Sequence, residues 1–162
     1  MSAIRAASTE DFPAIRSLND AVVTLTSSMD ESRITSLHAM SCYHRVVEED
    51  GEVSAFLLVF GSGSRYDSPH YQWFDERYDN YAYVDRIVVH RRAQGRGLGR
   101  RLYEDLFAWA AQRRVDKIVC EYNAAPVNDV SRKFHQALGF REISTEQLGA
   151  GKQVSMQLKP LS

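Results

Sequence analysis

Residues Val88 to Arg100 hold the densest chemistry in this sequence. A β-branched pair, Val88-Val89, runs into His90-Arg91-Arg92, and glycines then fall at alternate positions: Gly95, Gly97 and Gly99, around Gln94, Arg96 and Leu98. An amphipathic pattern of Leu98, Leu102, Leu106 and Trp109 starts directly behind them and predicts a helix. The N–H groups of a first helical turn have no intrahelical partner, and a row of them seats an anionic phosphate group. Two other phosphate-binding patterns fit less well. A Walker loop ends in Gly-Lys-Ser/Thr, whereas Gly99 is followed by Arg100 and Arg101. A dinucleotide turn has Gly-x-Gly-x-x-Gly, and Arg100 stands where its third glycine belongs, although acidic residues (Asp116, Glu121) do follow about twenty positions on.

The net charge of the chain is −1, so Arg91, Arg92, Arg96, Arg100 and Arg101 are a local concentration of positive charge. Such a focus suits a small ligand bearing several phosphates; no nucleic acid or membrane partner is expected. A second constellation is Asn128, Ser131 and His135, which fall on one face of a predicted helix at i, i+3 and i+7. That face flanks the apolar stripe expected from Val127, Val130, Phe134 and Leu138. Asp85 lies four residues before Val89 and shares a strand face with Tyr83, Ile87 and Val89. Glu121 and Asn123 end a further strand. Cys42 and Cys120 have no metal-ligand spacing, Cys120 reads as a core residue, and no metal is implied.

The elements that must position these groups are legible from period and punctuation. Ala3 to Ala7 predicts a strand, Phe12, Ile15, Leu18 and Val22 a helix behind Thr9 and Asp11, and Glu31 to Cys42 a second helix. Arg45 to Val47, Asp50-Gly51 and Val53 to Phe60 predict a hairpin whose second strand is apolar on both faces. Tyr81 to Val89 and Lys117 to Tyr122 are strands, and Gly139 is the expected cap of the Asn128 helix. Phe140 to Ile143 then pairs with Val154 to Leu158 across Gly149-Ala150-Gly151. The last strand alternates Val154, Met156 and Leu158 with polar residues, as a strand with one polar face does. Between the hairpin and Tyr81 lies a long segment, Gly61 to Asn80, rich in both turn formers and aromatics; it reads as a substrate-side flap with a helical turn near Trp73 to Tyr78. At 162 residues, the chain is read as a single α/β domain over 1–162. No apolar run is long enough to cross a bilayer and no signal segment stands out, which predicts a cytoplasmic protein.

Arg92, Gly95 and Gly97, in the spacing Arg-x-x-Gly-x-Gly, resemble the acyl-CoA signature of the GNAT superfamily of N-acetyltransferases. The segment Asn128 to Phe140 is similar to the same family's Asn-x-x-Ala/Ser-x-x-x-Tyr-x-x-x-Gly-Phe, and Thr9-Glu10-Asp11-Phe12-Pro13 resembles its usual start. The element order matches as well, so the likeness covers nearly the whole chain. Tyr83 to Val89 resembles a bacterial branch of the superfamily, for which the likeness supplies fold and cofactor but no acceptor. The resemblance implies a mixed sheet of six to seven strands with about four helices, and acetyl-CoA as cofactor. It implies that the backbone of Ile87, Val88 and Val89 holds the pantetheine arm. The N–H groups of Gln94, Gly95, Arg96, Gly97, Leu98, Gly99 and Arg100 would wrap the pyrophosphate, with Arg92, Asn128, Ser131 and His135 completing the cofactor site. His135 departs from the family, which usually has tyrosine there as the general acid.

Acetyl transfer to an amine needs a neutral amine and a proton for the leaving thiolate. Deprotonating a lysine-like amine at pH 7 costs about 4.6 kcal/mol, which calls for a general base. Asp85 is the expected base, with Glu121 the next; the alternative for each is a structural ion pair or a solvated strand end. His135 is the expected acid, the alternatives being a packing role or a carbonyl hydrogen bond, with Tyr122 or a flap tyrosine in its place. In the flap, Tyr66, Trp73 and Phe74, together with Tyr83, are the expected acceptor contacts. Asp67, Asp75, Glu76 and Asp79 outnumber Arg65 and Arg77 there, which suits a small cationic amine; the alternative is a packed lid. The expected activity is direct acetyl transfer to a primary amine of a small molecule or an exposed protein amine. A non-catalytic acyl-CoA-binding module is the alternative, and a homodimer is possible.

Overall fold

An Asp-Gly pair between two β-branched runs forces the first long-range feature. Asp50 and Gly51 both take positive φ (51° and 79°), the geometry of a two-residue hairpin turn whose twist matches its strands. That turn joins β2 (Tyr43–Glu49) to β3 (Glu52–Gly61), antiparallel from Glu49↔Glu52 to Tyr43↔Val59 with one irregularity between Val47 and Glu48. The computed structural model describes residues 2–22, 27–124, 129–148 and 152–161. Seven strands hydrogen-bond in the order β1-β2-β3-β4-β5-β7-β6, and the described residues form five α-helices. By contact the chain falls into two compact units, Met1–Phe60 with Val84–Ala108, and Gly61–Tyr83 with Trp109–Ser162.

In the first unit β1 (Ser2–Ala6) pairs antiparallel with β2, and β3 is buried on both faces from Ser54 to Phe60, as its continuous apolar run requires. Arg5 makes a two-pronged hydrogen bond to Asp11 (2.8 Å to each oxygen) and also reaches Glu48. Asp11 in turn accepts from the Ser8 N–H at 2.8 Å, so the chain turns into α1 (Phe12–Asp20) with its entry fixed by Ser8 and Asp11. The arginine beside it holds the Asp11 carboxyl down at about 2. α1 buries Phe12, Ile15 and Leu18; α2 (Glu31–Met40), capped by the Asp30 carboxylate on the Arg33 N–H, buries Ile34 and Leu37. α4 (Leu98–Gln112) buries Leu98, Leu102 and Leu106, and Asp105 on it takes both the Tyr43 hydroxyl (2.7 Å) and Arg45 (2.6 Å) from β2. Trp109, expected at the end of that stripe, is only half-buried and carries the Arg113 guanidinium 4.4 Å over its ring; Tyr103 and Ala110 are buried instead.

In the second unit the start of β4 (Tyr81–Val89) runs parallel to β5 (Lys117–Asn123) over Tyr81↔Lys117 to Tyr83↔Val119. β7 (Val154–Pro160) lies antiparallel between β5 and β6 (Arg141–Glu146). Its polar positions are not on a wet face. Ser155 and Gln157 are buried, because Ser155 donates to Glu142 at 2.6 Å and Gln157 donates to the Tyr122 hydroxyl and to Ser155. α5 (Asp129–Ala137) also sits differently from its expected phase. Val130 is 82% exposed, while His135 and Leu138 are buried, so the inward face is turned onto the histidine. Gly139 at φ +95° ends that helix as expected, with the Phe140 N–H returning to the His135 carbonyl. Asn128 and the Gly149-Ala150-Gly151 turn lie outside the described residues. In the flap, α3 (Pro69–Asp75) starts four residues before the expected turn, because Ser68 caps it and Pro69 opens it.

One histidine pair in the first unit makes a stability prediction. His38 and His44 meet at 2.8 Å through their Nδ1 atoms, between Phe12 and Phe56. Burial, with His38 second, lowers the His44 pKa to about 4. A histidine kept neutral by the fold takes up protons first in the unfolded chain, so stability is intact above about pH 6.5 and falls as pH drops towards 4. The loss at full effect is about 3 kcal/mol. Urea unfolding of the wild type and His44→Leu, at pH 7 and pH 4.5, should show a smaller acid-induced loss in the variant.

Candidate functional site

Behind β4 the chain makes a short 3-10 turn, Arg91–Ala93, in which the His90 Nδ1 accepts from the Arg92 N–H at 3.1 Å. Gly95 and Gly97 follow at φ 81° and 76°, a conformation that side chains rarely adopt. No atom lies within 4 Å of where a Cβ would stand on either glycine, so both backbones border open space. The first regular bond of α4 runs from the Arg101 N–H to the Gly97 carbonyl at 3.0 Å, which puts Leu98, Gly99 and Arg100 in the turn whose N–H groups have no intrahelical acceptor. The Gln94 side chain reaches back to the Val89 carbonyl at 3.4 Å. This is a cradle of backbone donors with room beside it, and it fits a phosphate group.

The arginines around it do not form the bare positive focus expected from the sequence. Arg92 pairs with Glu52, Arg96 with Glu49 at 2.6 Å, Arg100 with Glu104 at 3.2 Å, and Arg101 with the Ser2 hydroxyl. The Glu49 carboxyl is lowered, first by Ser54 and then by Arg96. These arginines are half-exposed or more, so their ion pairs are weak and exchangeable. Attraction for an anion at this loop rests first on the backbone.

Along β4 the burial alternates. Val84, Arg86 and Val88 are buried, whereas Asp85, Ile87 and Val89 on the opposite side are half-buried. Arg86 is the feature that sequence reasoning passed over. Its guanidinium bonds Asp85 Oδ2 at 2.7 Å, Asn19 at 3.2 Å, and both the carbonyl and the hydroxyl of Ser27 at 2.9 and 3.0 Å. Only 4% of the arginine side chain and 6% of the aspartate side chain are exposed. A cation within an otherwise apolar strand, next to an acidic residue, was the sequence signal for this pair. The Asp85 carboxylate is thus engaged in an enclosed ion pair within the fold.

Glu121 stands in a different setting. Its Oε1 accepts from the Tyr83 hydroxyl at 2.9 Å and lies 3.5 Å from Nδ1 of His70, on α3. Tyr83 itself is packed edge-on against Tyr71 and tilted against Phe74. Nothing in the spacing of His70 links it to a strand so far along the chain. The flap is a packed lid: Tyr66, Tyr71 and Phe74 are buried, with the Tyr71 hydroxyl donating to the Gly61 carbonyl and Asp75 accepting from Tyr81 at 2.6 Å. Trp73 remains half-buried, with the Arg77 guanidinium 4.1 Å over its ring. Among the described residues no cluster of His, Cys, Asp and Glu is arranged to hold a metal ion.

His135 is packed among Tyr122, Phe134 and Phe140, with ring centroids 5.3–5.4 Å apart. Its Nδ1 lies 2.7 Å from the Ser131 carbonyl oxygen and 3.2 Å from the Ser131 hydroxyl. A carbonyl can only accept, so Nδ1 carries the hydrogen and Nε2 of the neutral ring has none to give. Burial lowers the His135 pKa and keeps that neutral form. Tyr122, tilted against it, is shifted upward by burial and keeps its phenolic proton.

The model of the acetyltransferase (GNAT) family matches residues 3–140. No curated protein matches the chain in sequence. Among solved structures, the ribosomal-protein-S18-alanine N-acetyltransferase of Escherichia coli is 20% identical and superposes with a TM-score of 0.77, over 100% of this chain and 95% of its own. Ard1 from Thermoplasma volcanium is 15% identical at a TM-score of 0.80, over 99% and 98% of the two chains. A putative acetyltransferase from Salmonella typhimurium, solved with acetyl-CoA, is 20% identical at 0.75, over 100% and 95%. At such identities these likenesses carry the fold alone. No helix among the described residues is long and apolar enough to cross a membrane.

Removing one partner of a buried ion pair costs about 3–5 kcal/mol. Asp85→Asn should therefore melt well below the wild type while, at a temperature where both are folded, its acetylation rate stays within a few-fold. Unchanged melting with a rate loss of about 10²-fold would return the base role to Asp85. Gly97→Glu places a side chain at positive φ and a carboxylate into the backbone cradle. Calorimetry on the folded variant should find acetyl-CoA binding abolished.

Proposed function

Because the chain belongs to the GNAT family of acetyltransferases, we propose that it is a single-domain N-acetyltransferase over 1–162 that moves the acetyl group of acetyl-CoA directly to a primary amine. The acceptor is a small cationic molecule or an exposed protein amine. Acetyl-CoA supplies the acyl group as a thioester, already activated for attack. The N–H groups of Gly95 through Arg100 bind its phosphates, and the backbone of Ile87, Val88 and Val89 takes its pantetheine arm, with Gln94 steadying the Val89 carbonyl. Asn128 and Ser131 serve the same arm. Arg92 and Arg96 exchange their surface glutamates for phosphate oxygens.

The observation that carries the acceptor side is the Tyr83–Glu121 hydrogen bond of 2.9 Å. It fixes the orientation of a carboxylate that is only 15% exposed. Glu121 therefore takes the amine proton, and Asp85, engaged by Arg86, holds β4 instead. The negative charge of Glu121 also favours a cationic acceptor, and Trp73, already carrying the Arg77 guanidinium over its ring, is the one of the expected flap aromatics that is only half-buried. Tyr66 and Phe74 support the lid from within. His135 positions Tyr122, whose hydroxyl holds the proton available to a leaving thiolate. Direct transfer is supported by the cysteines: Cys120 is buried in β5, and the Cys42 thiol donates to the Val59 carbonyl oxygen at 3.6 Å.

The test is thiol release from acetyl-CoA with a panel of primary amines: spermidine, tyramine and a peptide with a free N-terminal alanine. At least one should raise thiol release above the hydrolytic background. Glu121→Gln should cut that rate by about 10²-fold and leave acetyl-CoA affinity intact. Tight acetyl-CoA binding with no acceptor-dependent release across the panel would favour a non-catalytic acyl-CoA-binding module.

A further inference from the structure

Two carboxylates of the β2–β3 hairpin reach the glycine loop. Resting on the reading of that loop as the acetyl-CoA site, we propose that Glu49 and Glu52 are a built-in counter-anion, competing with the cofactor's phosphates for Arg96 and Arg92 and so setting how tightly acetyl-CoA is held. The two glutamates stand directly opposite each other across the hairpin, on either side of the Asp50-Gly51 turn. Arg96 Nη2 lies 2.6 Å from Glu49 Oε1, and Arg92 pairs with Glu52. Arg92 precedes Gly95 and Arg96 separates Gly95 from Gly97, so the hairpin engages the loop at two points. Glu49 is the better held of the two: its side chain is 17% exposed, and the buried Ser54 also hydrogen-bonds its carboxylate.

Like charges directly opposite on paired strands destabilise a hairpin by themselves. Here each glutamate is offset by an arginine of the loop, which makes Glu49, Glu52, Arg92 and Arg96 one group of four charges. A phosphate drawn to either arginine displaces a carboxylate, and the released glutamate is then a negative charge near the phosphate. Both effects oppose binding. The ion pairs act in the other direction only by holding the loop in shape, and that contribution is small because the backbone already sets the shape. His90 Nδ1 accepts from the Arg92 N–H, Gly95 and Gly97 take positive φ, and the Arg101 N–H closes on the Gly97 carbonyl. Competition therefore outweighs support. Exposed pairs of this kind are worth a factor of about two to five each, so they moderate affinity without closing the site. Coenzyme A keeps the same phosphates after the acetyl group has left. Re-pairing of the arginines with Glu49 and Glu52 thus also favours its departure.

Calorimetry with acetyl-CoA compares the wild type with Glu49→Gln, Glu52→Gln and the double variant. At low ionic strength each single change should lower Kd by about two- to fivefold, and the double change by about tenfold. In about 1 M salt, where charges are screened beyond about 3 Å, the gain should vanish. Arg96→Gln should lose more affinity in the Glu49→Gln background than in the wild type, because there the arginine has no carboxylate to leave. The two glutamates give independent variants should one not fold. Unchanged or weaker affinity in the folded variants overturns the proposal, weaker binding meaning that the ion pairs serve to hold the loop. A gain that persists undiminished in high salt overturns it as well, since it is then not electrostatic. Gly97→Glu separates this level from the one beneath. If it abolishes binding while the glutamine variants bind as wild type, the competition alone falls; if it binds normally, acetyl-CoA does not use the loop.

Discussion

A charged pair on an interior strand is the constraint from which much of this molecule follows. Desolvating a guanidinium and a carboxylate costs several kcal/mol each, recovered only where geometry is good and the remaining donors find partners. On β4, Arg86 meets that condition through Asp85, Asn19 and Ser27. The same contacts tie the end of α1 and the segment before α2 to the strand that carries Ile87, Val88 and Val89. Asp85, expected as a base from its place on the strand, is in the fold the ion-pair partner of Arg86. Glu121, by contrast, has a phenol, the Tyr83 hydroxyl, as its hydrogen-bond partner.

The glycine loop illustrates a related division between charge and backbone. Five arginines cluster in its sequence, yet in the fold Arg92, Arg96 and Arg100 are paired with surface glutamates. Exposed pairs of that kind contribute little and are screened by salt. The N–H groups around Gly95 and Gly97 are different: their direction is set by backbone conformation. The anion seat is thus built from geometry that a side-chain census undervalues.

Burial also decides what a histidine can do. His44 and His135 both sit in aromatic surroundings, and both are pushed towards the neutral ring. For His135 the Ser131 carbonyl fixes the tautomer as well. His70 stands instead beside a carboxylate, its Nδ1 3.5 Å from Glu121 Oε1. Three histidines of the same chemistry are given different surroundings by their neighbours.

What the amino-acid sequence determined by itself was local. The Asp50-Gly51 turn, the Gly95–Gly97 loop opening α4, the Gly139 cap and the order of strands and helices all follow from backbone conformations that few residues allow. They were legible because each is decided within a few residues. The phase of α5 was not, since Val130 and His135 are both compatible with the helix and only packing onto Tyr122 and Phe140 selects the inward face. The buried polar face of β7 was hidden for the same reason: Ser155 and Gln157 look solvent-facing until Glu142 and Tyr122 are brought to them. The meeting of Tyr83, Glu121 and His70 belongs wholly to the tertiary structure. Their three segments are far apart along the chain, and a 3 Å hydrogen bond between them depends on how the flap closes over the sheet, which no local pattern encodes.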